Sequence, residues 1–400
     1  LKRVLRSARP DMKFLEDGLE EIENHTIGWF EFISNGIDGK LYNMMYFTPI
    51  DGKLMQGIFN CPAKESQNWK VVAMQVMNTI KEGRQYIGLS IAEFVSIQDI
   101  YIYKKVNEHG KAVIRGIIDA KYEKKLFKKA ECGYATLFIV DETGKQQSIF
   151  SGMIEHMEVK NSGEVKSANV VLTGATKQMD CMEYTRTFQK ESILYEKLLN
   201  VINSENGHVI YMHNCGKGIS IKKLVVQYKE TDWEFAKRLA SHFNQPLIPN
   251  YAGEGVRYSF GLCEDSPEKS FEVNEYSVGN MREEYLNKSR NMVSGILPDD
   301  FTFYTVKSRD YLELGDKVRF LEQVFYVYEV TGSLEEEELI HTYILRRAGG
   351  FKTIHYYNNK IIGASLDASV IATQNDTVKV AVSVDKGQSG AKWFPYSTVY

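Results

Sequence analysis

The sequence predicts a mainly β protein with α+β inserts. It divides into two antiparallel β-barrel-like units, an α+β insert between them, the start of an OB-fold barrel, and an N-terminal α/β module. Three observations carry this. Short runs of alternating apolar residues recur with turn signals about every 8 to 15 residues. Tyr (24) and Phe (20) are plentiful and Pro (8) is scarce, which favours ordered β-structure. Three stretches, 66–83, 191–204 and 231–243, switch to a helical period.

Composition bounds the rest. At 400 residues there is room for roughly two to four domains. The 43% apolar and 25% charged residues are those of an ordinary globular protein. A net charge of −3 gives no bulk drive toward nucleic acid or an anionic membrane. No apolar run reaches about 18 residues, so no helix is expected to span a membrane. The N-terminal LKRVLRSARPD has basic residues but no apolar core, so it is not a secretory signal. Without an initiator Met, and with the strand-like KWFPYSTVY at its end, the sequence is expected to be a piece of a longer polypeptide. Cys61, Cys132, Cys181, Cys215 and Cys263 are widely spaced with no C-x-x-C pair. They predict reduced, mostly buried thiols and folding in a bacterial-type cytoplasm.

Residues 1–83 form the first module. TIGWFEFIS (26–34), KLYNMMYFT (40–48) and KLMQGIFN (53–60) are strands joined by N-G and D-G turns. A helix follows from Ser66, with Trp69, Val72, Val76 and Ile80 expected on the buried face and Gly83 beyond its end. Its carboxylates and His25 have no metal or catalytic spacing. Residues 84–98 are expected to be a linker. In 99–174, DIYIYKKV, KAVIRGIIDAKY, YATLFIVDE, QSIFSGMIEHMEVK and SANVVLTGA predict the first barrel-like unit. Residues 175–262 are the α+β insert. ESILYEKLLNVINS is helical, HVIYMHN and KKLVVQY are strands, and Thr231 with Glu234 forms a T-x-x-E capping box. Trp233, Ala236, Leu239 and Phe243 then recur at helical spacing until Gln245-Pro246 stops the helix.

The second barrel-like unit, 263–356, contains FEVNEY, DFTFYTVKS, KVRFLEQVFYVYEVTGS and LIHTYILRRA. Leu312-Glu313-Leu314-Gly315-Asp316 reads as a turn entering a strand, with Gly315 free to take a positive φ. In 357–400, the alternation of Val378, Val380, Val382 and Val384 predicts a strand with one buried face, in a hairpin turning at 375–376.

Candidate chemistry is sparse. His208, His213 and Cys215 are the sharpest metal candidates, but an offset of five puts the two histidines on opposite faces of a strand. Tyr228, Asp232 and His242 suggest a catalytic group. A helix starting at Asp232, however, carries His242 roughly 15 Å away. Glu335–Glu338 reads as a solvated hairpin tip and Asp299 with Asp300 as turn residues. Lys360, Lys379, Lys386 and Lys392, without stacking aromatics in TVKVAVSVD, make a poor single-strand surface. No hydrolase, nucleotide or zinc-protease motif is present. Catalytic, cofactor and metal residues are all expected to be none.

The order of parts resembles a known family. QYKETDWEFAKRL resembles the Q-Y-x-E-[ST]-D-x-x-F-x-x-R-L signature of VgrG proteins and contractile phage tail hubs. The matching residues are Gln227, Tyr228, Glu230, Thr231, Asp232, Phe235, Arg238 and Leu239, with Trp233 inside the run. IFSGMIEHMEVK resembles the F-x-G-x-[IV] strand that closes the first barrel. LELGDKVRF, with Gly315 and Asp316, and ELIHTYILRRAGGF resemble the second. Trp393, Phe394 and Pro395 stand where the family places a W-F-P in its OB domain. The match covers about 95–400. Two departures are the N-terminal module, which typical members lack, and the helix ending HFNQPLIPN in place of E-E-x-G-I. FNCPAKESQNWKVVAMQVMNTIK in turn resembles the C-terminal half of PsbP-like (DcrB-type) α/β domains.

The resemblance implies a non-enzymatic hub of a contractile injection apparatus, assembled as a homotrimer whose six barrels seat on a six-fold tube. Implied partners are the tail tube, a spike tip or effector and baseplate proteins, with no nucleic acid and only transient contact with a target membrane. It implies assembly in the bacterial cytoplasm and delivery outside the cell. The alternatives are a tail lysin with a hydrolase domain beyond residue 400, and a free-standing binding or chaperone module.

Overall fold

The computed structural model describes Ser7 and residues 12–22, 25–36, 39–50, 53–77, 86–140, 144–163, 165–273, 275–385 and 392–397. The chain divides into two compact units, Leu1–Arg84 and Gln85–Tyr400.

The first unit is an antiparallel sheet, β1 (Lys13–Ile22), β2 (His25–Gly36), β3 (Gly39–Ile50) and β4 (Lys53–Pro62), with α1 (Ser66–Met77) on one face. Strand β1 has no sequence counterpart among the expected strands, because its carboxylates hide the alternation of KFLEDGLEEI. Ile27, Trp29, Tyr42 and Met44 pack with Ala73 and Met77 of α1, while Phe30, Phe32 and Met45 form the opposite face. The helix therefore does not bury the expected stripe. Trp69, Val72 and Val76 are 42%, 36% and 45% exposed. The buried residues are Ala73 and Met77, flanked by the partly buried Met74 and by Lys70, whose side chain is 35% exposed. Glu31 is buried in the sheet, and Lys70 Nζ reaches it at 2.7 Å, so α1 turns its lysine inward. Ala73 then allows close approach and Met77 fills the gap. Ile80 and Gly83 lie outside the described residues, as does the side chain of His25.

The second unit begins with β5 (Tyr86–Leu89), β6 (Phe94–Lys105), β7 (Lys111–Ile118), α2 (Glu123–Ala130), β8 (Tyr134–Val140), β9 (Gln146–Ser162) and β10 (Val165–Gly174). The expected linker is corrected here. Over 86–98 the chain is β5, paired with β8, and the first part of β6, paired with β7. Leu89, Ile91 and Ala92 between them are buried in the core. The insert holds β11 (Glu183–Phe188), α3 (Tyr195–Ser204), β12 (Val209–His213), β13 (Val225–Thr231), α4 (Asp232–Ser241), β14 (Leu247–Pro249) and β15 (Val256–Phe260). The second half follows with β16 (Glu268–Lys269), β17 (Glu275–Asn280), α5 (Arg282–Arg290), β18 (Thr302–Ser308), β19 (Lys317–Phe320), β20 (Gln323–Glu335), β21 (Glu338–Arg346) and the turn α6 (Ala348–Phe351). A small sheet of β22 (Ala368–Gln374), β23 (Thr377–Val382) and β24 (Trp393–Pro395) completes the chain.

The two barrel-like halves are not separate. One 12-stranded sheet runs β17-β18-β21-β20-β6-β7-β10-β9-β8-β5, with β16 and β19 off this path, and among the described residues it is open, with no closed barrel. The junction is β20 against β6, from Glu329↔Lys105 to Ser333↔Tyr101. A single apolar cluster joins Ile102, Ile114 and Leu172 of the first half to Val306, Val330 and Leu345 of the second. KVRFLEQVFYVYEVTGS is two strands, because Leu321 and Glu322 take φ of +47° and +61° in a tight turn. Glu336 and Glu337 form the next hairpin tip at +49° and +69°, with Glu335 and Glu338 paired to Lys307 and Arg309. In β23, Val378, Val380 and Val382 are half-buried, short of the buried face expected of them. Among the described residues their sheet has three strands and no covering layer. The thiols also differ from expectation: Cys61 is buried, but Cys132 and Cys181 are exposed.

Candidate functional site

The residues that the sequence singles out converge at the start of α4. Thr231 is its N-cap. Its Oγ1 accepts from Glu234 N–H at 3.1 Å, and Thr231 N–H donates to Glu234 Oε2 at 3.1 Å, completing the capping box. Asp232 is fully buried, yet satisfied: Oδ1 accepts from Gln227 Nε2 at 3.0 Å and Oδ2 from Asn206 Nδ2 at 2.8 Å, with Arg186 at 3.4 Å. Burial pushes its carboxyl up, against the pull of those three partners. Gln227 also donates to Glu230 O at 2.9 Å, fixing the turn between β13 and α4. Arg238 returns along the helix to grip Glu230 with Nε (2.9 Å) and Nη2 (2.7 Å), and donates to Val226 O at 2.8 Å. Phe235 and Leu239 are buried in the insert core.

A second layer ties this turn to the first half. Thr231 Oγ1 donates to Asp180, whose other oxygen meets His109 Nε2 at 2.8 Å; His109 Nδ1 meets Thr176 Oγ1 at 2.8 Å. Burial would raise the Asp180 carboxyl, but the His109 and Thr231 hydrogen bonds outweigh it and hold it at about 2. His109, on the β6–β7 hairpin, lies 5.0 Å from the Trp233 ring. The C-terminal segment is tied in as well: Asn358 Nδ2 donates to Tyr228 O at 2.8 Å, and Lys360 reaches Glu183 at 2.7 Å. Thr187 of β11 and Gln189 just beyond it both donate to Asp385, and Gln189 Oε1 accepts from Lys392 N–H.

These contacts position backbone and close a core. Asp232 and His242 have separate partners, the latter meeting Tyr195 Oη at 2.8 Å through Nδ1. His208 is exposed, whereas His213 packs on Phe260 at 5.3 Å, its basicity lowered by burial. Burial pushes the Cys215 thiol up to about 12. Among the described residues no group of three or more His, Cys, Asp or Glu is placed to hold a metal. Asp300 caps its own turn by accepting Leu297 N–H at 2.7 Å, and Asp299 sits 3.7 Å from Arg347. Lys386 lies outside the described residues, while Lys392 pairs with Glu191.

Gly315 and Asp316 belong to a different place. Gly315 has φ +78° and donates to Val327 O at 2.8 Å; Asp316 accepts from Glu313 N–H at 2.7 Å and from Lys269 at 2.6 Å. Trp393, Phe394 and Pro395 form β24, opposite Lys379, Val378 and Thr377. Sequence reasoning missed the buried cluster beside Gly315. Lys104, at 0% exposure, donates to Ile149 O (2.7 Å) and Tyr311 Oη (2.8 Å) and lies 3.3 Å from both Glu313 oxygens. The signal was available, since Ile100, Ile102 and Lys104 share the inward phase of β6.

The histidines set an acid limit. Burial holds His242 and His341 near about 3, with neighbouring cations or His355 adding to the effect. The unfolded chain protonates each ring below about pH 6.5, but the folded chain does not, so stability falls with acid. From pH 6.5 to 4.5 each ring is expected to cost about 2–3 kcal/mol, and Asp180 adds a loss only as pH drops from about 4 toward 2. Urea unfolding at the two pH values tests this, with His242→Gln removing one share; a flat wild-type stability would refute it.

No protein-family model matches the sequence, and no curated protein matches it. Solved structures do. An E. coli protein, c3393, described as a type VI secretion component with structural similarity to the T4 tail proteins gp27 and gp5, aligns with TM-score 0.51 and 11% identity, over 77% of this chain and 92% of that one. A 43 kDa tail protein of prophage MuSo2 from Shewanella oneidensis aligns at 0.48 and 9%, over 68% and 100%. A chain of a Francisella PdpA–VgrG complex aligns at 0.48 and 9%, over 84% and 76%. The chain has a tail-hub-like fold.

Proposed function

We propose that this chain is a structural hub of a contractile injection apparatus, joining a tail tube to a puncturing spike. The observation that carries the reading is the shared sheet. Both barrel-like halves are hydrogen-bonded through β6 and β20, and the insert is tied to the first half through His109 and Asp180 and to the C-terminal segment through Asn358. A part that transmits thrust needs such rigidity, and continuous ladders resist shear through many parallel hydrogen bonds. In this reading the chain works as a homotrimer, with two barrel-like halves from each copy facing the tube. Residues 357–400 begin an OB-type spike base around Trp393–Pro395, and the first unit serves as cargo, adaptor or decoration. Baseplate proteins, a spike tip or an effector are its further partners, and the assembly leaves the cell within a particle or secretion apparatus.

Light scattering on the full-length gene product should return a trimer mass at micromolar concentration. A monomer at that concentration would remove the basis of the hub reading.

A further inference from the structure

A cavity of about 760 Å³ opens between α5, the α6 turn and residues 353–356. Tyr328, Phe351 and Ile354 give it an apolar wall, and Arg282, Glu284 and Lys288 a charged one. Its volume suits a small ligand or a peptide side-chain anchor, for which a few convergent polar groups fix orientation.

The charges along this wall do not balance. Lys288 is 9% exposed, and its Nζ reaches Glu284 Oε1 at 2.7 Å and Gly350 O at 3.3 Å. An ammonium has three N–H groups; beyond the Phe301 ring, 5.1 Å from Nζ, the third meets no hydrogen-bond acceptor among the described residues. Arg346, 4% exposed, uses Nη1 on the same Glu284 at 3.1 Å and Nη2 on Met281 Sδ at 2.7 Å. It stacks on Tyr328 at 3.8 Å, and its Nε has no hydrogen-bond partner among the described residues. Two nearly buried cations thus share one carboxylate. Glu283 also lines the cavity, exposed beside the equally exposed Arg282, whose charge it offsets, while Glu108 and Glu329 are taken by Lys105 at 3.5 and 3.4 Å. Buried cations without matching anions are costly, and a wall of this kind is completed by a ligand of charge −1.

We propose that this cavity binds a carboxylate attached to an apolar body. The carboxylate takes the free donor of Lys288, with Arg282 at the mouth, and leaves Glu284 to Arg346. The body lies against Phe351 and Ile354. A protein segment can present this chemistry as an acidic side chain between apolar residues, and a free organic acid can present it equally. A dianionic phosphate would overshoot the single excess charge. The site is independent of the hub reading, since it rests on the cavity alone.

The test titrates N-acetyl-phenylalanine and its primary amide into the full-length protein, followed by ligand-observed NMR. The acid should bind at least tenfold more tightly than the amide. Lys288→Met should bring the two to parity, and Arg282→Ala, an exposed change that spares the fold, should weaken the acid several-fold and leave the amide unaltered. Equal binding of acid and amide to the wild type, or binding of neither up to about 10 mM, would overturn the proposal. A short peptide with an internal glutamate between apolar residues distinguishes the sources. Tighter binding than the free acid assigns the cavity to a partner segment, and weaker binding assigns it to a small molecule.

Discussion

Glu313→Ala should destabilise the second unit by about 3–5 kcal/mol, because it strands Lys104 as a buried cation. Lys104 comes from β6, Ile149 from β9, and Tyr311 and Glu313 from the turn before β19. Tyr251 of the insert donates its N–H to Glu313 at 3.4 Å, and its Oη accepts from Gly110 N–H at 2.6 Å. The cluster therefore joins both halves of the sheet and the insert at one point. Burial already pushes the Lys104 amine below its ordinary value, with Glu313 opposing that shift. Without Glu313 the amine is driven lower, so the folded variant gains by releasing the proton. Its deficit should shrink as pH rises from about 7 to about 9. The double change Lys104→Met, Glu313→Leu should recover most of the loss, since an apolar pair of similar volume leaves no charge to desolvate. Urea midpoints of the three proteins decide it. A single variant as stable as the wild type, or a double variant as weak as the single, would show that the pair does not hold this junction.

What the sequence made legible is local. The capping box at Thr231 needs only its own four residues, and the structure has it in full. The positive φ of Gly315 and the hairpin tip at Glu336 and Glu337 likewise follow from neighbours in the chain. What stayed hidden depends on distant partners. The stripe of α1 that turns inward is chosen by Glu31, not by the larger apolar stripe of Trp69, Val72 and Val76. A lysine in the inward phase of β6 could be noticed, but its carboxylate lies 209 residues away. The fusion of the halves depends on β20, whose register shift between Val327 and Glu329 lets it serve β19, β21 and β6 along one strand. Strand β11 was not read at all, although its Arg186 faces Asp232. The signature around Gln227 was thus recognisable as a pattern, while the physical reason for its aspartate lay elsewhere in the chain.

Trp233→Ala should cost about 3–5 kcal/mol, the usual penalty for emptying a large aromatic site. The side chain is 1% exposed, meets the Tyr258 ring edge-on at 5.8 Å and lies 5.0 Å from His109. Its Nε1–H donates to Asn107 O at 3.3 Å, and Asn107 sits at the β6–β7 turn with φ +68°. Trp233 therefore fills the insert core and also holds the hairpin of the first half against it. Trp233→Phe keeps much of the volume but leaves the Asn107 carbonyl unpaired, so about 1–2 kcal/mol is expected. Thr231→Ala removes a cap and the donor to Asp180, again about 1–2 kcal/mol. Because the chain has two units, one melting temperature would blend their transitions, and hydrogen exchange is the better measurement. Amides of α4, β13 and the β6–β7 hairpin should exchange faster in Trp233→Ala, while those of β2 and β3 in the first unit keep their protection. Any hydrolytic activity of the full-length protein should survive all three changes, because these residues hold structure together. Loss of such an activity with exchange unaltered would turn the start of α4 from a structural joint into a reactive site.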